Sequence, residues 1–339
     1  MRWFGFAVVL ICFSMPFRAE SAAAASGKKE GGIFSLYRRR APLDDPAELD
    51  LPYVAGLSVR FGWAELEKSP GQYDWSLLEK AHRIAAAKNK LLMIRVIAGV
   101  NSPRWLYAQG VPKITFQGDE TNWMPADETA TMPVPWSESY LQRWERFLSA
   151  LGREISGWPE VYCVHMTGGG FIDEMHLPKK NPATIQQWNE AGISDETLFA
   201  MWRKIIAAYD KSMPGNVGLT LALGIPFARS RTPELVYRYA LERYPGRVWF
   251  QQNGLKAERA AGARFPEMLR GASAKTVVGY QMVGGGRFLD AQTGDRRAAF
   301  ENAIQDHASY VEVYRTDLID PQWREALQFL ARGLRSNNN

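Results

Sequence analysis

Cysteine is nearly absent from this 339-residue chain, with only Cys12 and Cys163 present. Two such thiols make no disulfide framework, and no His/Cys/Asp/Glu set stands at metal-ligand spacing, so neither a metal nor another cofactor is implied. Long apolar runs are scarce too. The prominent one, residues 4–13, follows Met1, Arg2 and Trp3 and precedes small residues at 21–26. A basic start, an apolar stretch too short for a bilayer and an Ala-rich end read as an export signal over residues 1–26, with a retained anchor as the alternative. The bulky Ile11 before Cys12 argues against lipidation. Residues 27–31 follow as a polar linker. No later stretch is apolar and long enough to cross a membrane, so the expected product is exported, periplasmic or extracellular, with no membrane partner after processing. Charge of one sign is also lacking: the net +5 is too mild to indicate nucleic acid. There is no Gly-x-Ser-x-Gly elbow, no glycine-rich phosphate turn after the first strand and no internal repeat. Oligomeric state is not legible.

What the chain has in quantity is short apolar runs alternating with amphipathic stretches. Strand-like runs lie at 32–37, 54–62, 91–98, 161–167, 217–225, 248–253, 276–283 and 310–314. Helical patterns lie between them at 75–88, 137–155, 194–212, 232–243, 257–269 and 296–308, and a last one closes the chain at 321–333. This order predicts an α/β fold, a single (β/α)8 barrel over residues 32–335. Residues 99–135 form a long aperiodic segment, which in compact domains is functional or disordered.

The organising stretch is residues 161–178, VYCVHMTGGGFIDEMHLP. A strand, a glycine-relaxed turn and an acidic pair present a carboxylate at the carboxyl end of a strand, where barrels concentrate function. The other candidates at strand ends are Arg60, Trp63 and Glu65, then Asn101 and Trp105. Gln251 and Asn253 follow, then Tyr280 and Gln281, and last Glu312, Tyr314 and Asp317. Carboxylates among aromatics suit glycosidic bond cleavage, whose cationic transition state needs an acid and a base or nucleophile. Tryptophan numbers 12, and its flat apolar face with a polar handle suits sugar rings as well as cores. Trp75, Trp144 and Trp202 stand at helical spacing and belong to the core, whereas Phe116, Trp123 and Trp136 are candidates for a cleft wall.

The run GLSVRFGWAELEKSPGQYDWSLLEKA, the segment Ser102-Pro103-Arg104-Trp105-Leu106 and the acid after strand four together resemble clan A glycoside hydrolases, nearest to the family 42 β-galactosidase type. The resemblance covers residues 54–178, and beyond them it rests on strand order. It implies a barrel glycosidase with its acid/base at Glu174 and an arginine, Arg60, supporting a nucleophile. Two departures stand out. Asp173 precedes the acid where the family has Asn, and Gln281 occupies the strand-seven position of the nucleophilic Glu. An amide cannot act as a carboxylate nucleophile, which leaves Glu312 as the candidate partner of Glu174. A structural ion pair of Glu312 with Arg60 or Arg95 is the competing reading, with Arg95 and His165 as interior groups. The expected substrate is carbohydrate, as Trp63, Trp105, Asp173 and Tyr314 at the rim also suggest. The alternatives are a catalytically degenerate carbohydrate-binding barrel, or a lyase using Arg60, Arg95 and Arg287 on an acidic polysaccharide.

Overall fold

The computed structural model describes residues 30–338 apart from 45, 119–124, 126, 261 and 287–289. The segment read as an export signal, most of the linker, Trp123 and Arg287 lie outside the described residues.

Eight parallel strands close into a barrel. They are β1 (Ile33–Leu36), β2 (Val54–Gly62), β3 (Leu91–Ile97), β4 (Val161–Met166), β5 (Gly218–Ala222), β6 (Val248–Leu255), β7 (Val278–Met282) and β8 (Tyr310–Tyr314). Each pairs with the next along the chain, and β8 closes on β1 through Ile33↔Val311. Every residue of β4, β5 and β7 is buried. A parallel strand lying between a barrel interior and a helix layer hides both faces, so it reads in sequence as a continuous apolar run. All eight expected strands are therefore present, most with ends trimmed.

The helices that follow show why they start where they do. The Ser137 hydroxyl accepts from Tyr140 N at the head of the helix Glu138–Glu154, which buries Trp144, Phe147, Leu148 and Leu151. Ser194 caps Asp195–Ser212 in the same way. The helix expected at 257–269 forms later, at Arg264–Ala272, because Gly262 at φ +69° turns the chain just ahead of it. The helix Pro182–Glu190 was not anticipated; Asn181 accepts from Ala183 N at 2.9 Å and proline opens it. The long segment is not aperiodic in space. It carries a short helix, Trp105–Ala108, and an antiparallel ribbon of Lys113–Gln117 with Thr129–Pro133. Of the aromatics expected to wall a cleft, Phe116 is 2 % exposed and meets Phe171 edge-on, and the half-buried Trp136 donates to Ala191 O at 2.8 Å. Among the described residues no helix is long and apolar enough to cross a membrane.

Inside the barrel, residues two apart on a strand share a face. Met93 and Cys163 join Phe34 and Tyr310 in a small apolar cluster. Two residues further along β3 and β4 stand Arg95 and His165, which begin a polar layer above it. Register carries that layer around the wall, Arg60 beside Arg95, Arg95 beside His165, and Gln281 beside Glu312.

Candidate active site

The acidic pair after β4 is placed by glycine. Gly168 sits at φ +101°, and a Cβ there would lie 2.6 Å from Trp144 Nε1. At Gly170 a Cβ would lie 1.8 Å from the carbonyl oxygen of Glu174. The turn folds back on itself, with Phe171 N donating to His176 O at 2.9 Å and Val100 N to Phe171 O at 3.0 Å. Buried indoles press against the turn from outside, so the backbone packs where side chains would not fit. The loop 168–176 is thereby held against the barrel mouth.

Beneath it lies a cluster of two guanidiniums and two carboxylates. Arg95 is fully buried and donates through Nη1 to Asp173 at 2.6 Å and to Gln281 Oε1 at 2.9 Å. Its Nη2 donates to Glu312 at 2.8 Å and to His165 Nδ1 at 2.9 Å. Arg60 donates to the same Gln281 oxygen at 2.5 Å and lies 3.3 Å from Asp173. Burial opposes the charge on Arg95, but Glu312 and Asp173 outweigh it and hold the guanidinium protonated. Burial likewise opposes ionisation of Asp173, yet Arg95 and Arg60 keep its carboxyl below the ordinary range. His165 is pushed the other way, by burial first and by Arg95 second, and so is neutral and able to accept. With two charges of each sign, the cluster is balanced.

Glu174 stands outside that balance. Its side chain is 19 % exposed, with His176 Nε2 at 3.7 Å. Burial, and then the Asp173 carboxylate beside it, push its carboxyl up to about 8. Arg95, Arg60 and Lys179 pull the other way without cancelling those two causes. His176 in turn places Nδ1 2.9 Å from Ile225 O, and Lys179 Nζ donates to the same carbonyl. Burial lowers the pKa of both His176 and Lys179. These two groups were not singled out from sequence, although they follow the acid directly in Glu174-Met-His-Leu-Pro-Lys179.

The other expected site residues divide. Arg60, Asp173, Gln281 and Glu312 meet in the cluster, with Gln251 donating to Glu312 at 2.7 Å and to Asn253 at 2.6 Å. Glu312 itself is fully buried. Arg95, Gln251 and the Ser58 hydroxyl, which donates to it, enclose its carboxylate, so a sugar ring has no direct approach. The ion pair with Arg95, the competing reading for this residue, is present at 2.8 Å. Trp63 is displaced from the expected rim to the core: fully buried, it packs on Trp144 and Phe147 and donates to Glu67 at 2.7 Å. Tyr280 faces the helix layer, where its hydroxyl donates to Asp306 at 2.6 Å alongside Arg259 and Arg270, because it alternates with the inward-facing Gln281. Trp105 is half-buried against Trp63, and Tyr314 is half-buried under the Arg38 guanidinium. Of the arginines that the lyase alternative calls on, Arg60 and Arg95 are paired within the protein with Asp173, Glu312 and Gln281. Among the described residues there is no group of three or more His, Cys, Asp or Glu placed to hold a metal.

Known structures share this fold. A β-galactosidase from the psychrophilic Marinomonas ef1 superposes with a TM-score of 0.57 at 11 % identity, covering 89 % of this chain and 59 % of that one. A GH10 xylanase from Bispora sp. MEY-1, solved with xylobiose, gives 0.53 at 13 % identity, covering 84 % and 83 % respectively. Both are glycoside hydrolases built on a (β/α)8 barrel. The chain thus spans about three fifths of the galactosidase's length. No protein-family model matches the chain, and no curated protein matches it.

Proposed function

We propose that this chain is a glycoside hydrolase that takes carbohydrate at the carboxyl rim of the barrel and uses Glu174 to protonate the glycosidic oxygen. The observation that carries it is the state of Glu174, a partly exposed carboxyl raised to about 8 and set at the mouth. A carboxylic acid that keeps its proton at neutral pH is one half of glycoside hydrolysis. The fold shared with a β-galactosidase and a xylanase supports the substrate class. With an amide at the strand-seven position, no glycosyl ester forms there, and water is the nucleophile that remains. Glu312 anchors Arg95 beneath the site. Gln281, its oxygen held by both arginines, has Nε2 left to donate to a sugar hydroxyl. Export by removal of residues 1–26 belongs to the same proposal. Recovery outside the cell of a chain starting near residue 27 supports it, and a chain retaining Met1 overturns it.

A second reading, a carbohydrate-binding barrel without turnover, is favoured by one specific observation. Every other strand-end carboxylate in this group is already engaged: Glu65 with Arg39 and Arg40, Asp173 and Glu312 with Arg95, and Asp317 with Arg296. One experiment separates the two. The wild-type chain and Glu174→Gln are screened against a glycan panel, with binding and product release measured together. Release by the wild type and binding without release by the variant support the hydrolase. Binding without release by both supports the second reading. No binding to any carbohydrate removes both.

A further inference from the structure

A cavity of about 270 Å³ opens where the chain leaves β6. Its lining comes from Ile225 after β5, Gln252 and Leu255 on β6, the segment that follows, and the head of the helix Arg264–Ala272. It therefore lies towards the carboxyl end of the barrel. The loop that carries Glu174 reaches one of these residues, since His176 places Nδ1 2.9 Å from Ile225 O. Three cations line the cavity, Lys256, Arg259 and Arg264, and among the described residues no carboxylate does. Glu258 and Glu267, on the same stretch of chain, are exposed and outside the lining.

The positive charge is not balanced from behind. Asp306 is fully buried and accepts from Arg259, from Arg270 at 2.6 Å and from the Tyr280 hydroxyl at 2.6 Å. One carboxylate thus serves two guanidiniums. Arg264 pairs with Glu234 and donates through Nη2 to Ser230 O at 3.2 Å, but its Nε is buried without a hydrogen-bond partner. The exposed Lys256 ammonium and the Gln252 side-chain amide have no partner among the described residues. Gly254 makes room for that amide, because a Cβ there would lie 2.5 Å from Gln252 Nε2. In the cluster beneath the mouth the charges cancel; here four cations meet two carboxylates, Asp306 and Glu234. A recess lined by one sign of charge gathers the opposite sign from solution. Spare N–H donors on such cations hold an oxyanion through charge-assisted hydrogen bonds.

We propose that this cavity binds an oxyanion carried on the substrate, so that the carbohydrate taken by the barrel is an acidic glycan bearing carboxylate or sulfate groups. The link to the substrate rests on the glycosidase reading, whereas the anion site itself does not. Lys256 and Gln252 supply free donors, and Arg259 and Arg264 add charge. The volume is below the roughly 300–1,000 Å³ of sites that enclose a whole small molecule, and it suits one charged substituent. A neutral sugar would leave the excess charge uncompensated.

The test uses the full chain and four probes: a chondroitin sulfate tetrasaccharide, trigalacturonic acid, neutral galactotetraose and sodium sulfate. Each is titrated calorimetrically against wild type, Lys256→Glu, Arg264→Gln and Glu174→Gln, and product release from the glycans is measured alongside. Lys256 is exposed, so its variant leaves the fold intact, and thermal melts check the others. The expected result is saturable binding of an acidic glycan by wild type and Glu174→Gln, with sodium sulfate competing. Binding should weaken about tenfold or more in the Lys256 and Arg264 variants, with no such loss for galactotetraose. No saturable binding of either acidic glycan by wild type, or equal binding by Lys256→Glu, overturns the proposal. Binding of sodium sulfate alone overturns the link to the substrate. Acidic glycan bound without release of product from any glycan keeps the anion site and removes the role of Glu174. Release from galactotetraose alone keeps that role and removes the acidic substrate, so the two readings fail separately.

Discussion

Gln281 and Arg95 are joined by a 2.9 Å hydrogen bond in which the amide oxygen accepts from Nη1, while Arg60 donates to the same oxygen from the other side. Two guanidiniums converging on one oxygen form a cradle suited to a carboxylate, and this chain has placed an amide in it. Gln281→Glu should restore an ionised group there, giving a variant that forms a covalent glycosyl ester with a slow 2-fluoro glycoside. Intact-protein mass spectrometry reads the adduct. An unmodified Gln281→Glu protein, in a barrel that binds the same sugar, would show that this position does not face the anomeric carbon.

Glu312 makes the opposite case. It is a fully buried carboxylate that balances Arg95, so its loss leaves a buried cation with one partner fewer. Glu312→Gln should lower stability by roughly 3–5 kcal/mol, seen as a reduced denaturant midpoint, while turnover per folded molecule persists. A variant as stable as wild type but inactive would return Glu312 to the chemistry.

Glu174 and Asp173 give opposite pH dependences. The folded pKa of Glu174 is raised from 4.5 to about 8, so over that interval the native state binds more protons than the unfolded one. Its contribution is therefore fully present below pH 4.5 and is lost as pH rises through about 8. Asp173 is depressed, so its contribution holds above its ordinary value and is lost as pH falls through the lower folded one. Activity that depends on a protonated Glu174 should fall along a basic limb near pH 8. The stability of Glu174→Gln should lose the corresponding slope. A slope unchanged in that variant assigns the titration to another group.

Gly168 gives a backbone test. Alanine there would face φ +101° and a contact of 2.6 Å with the Trp144 indole. Gly168→Ala should cost about 1–3 kcal/mol and move the loop that carries Glu174, lowering turnover by more than sugar affinity. Thermal unfolding together with a KM-against-kcat comparison checks it; equal losses of binding and turnover would place the loop's role in binding.

Much of the architecture is legible locally. The strands announce themselves because most of their residues are buried on both faces, and the helices because their caps and apolar stripes lie within a few residues of each other. Glu174 is legible for the same reason, since its position depends on the glycine turn immediately before it. The helix Pro182–Glu190 was missed because it is short, mostly exposed and buries little beyond Thr184 and Trp188.

What the chain by itself determined is the order of the strands, the barrel they form and the acidic pair that follows the fourth. Which groups meet inside was decided only by closure. Arg95 finds Asp173 at a separation of 78 residues and Glu312 at 217, and no local pattern relates them. Alternation told that Gln281 and Tyr280 face opposite ways, but only the closed barrel shows that the amide enters a charge cluster and the phenol reaches Asp306. The physical reason is that a side chain's state depends on the charges and water around it. A carboxylate enclosed with a guanidinium is held by it, as Glu312 is, and one buried beside another carboxylate is pushed towards its protonated form, as Glu174 is.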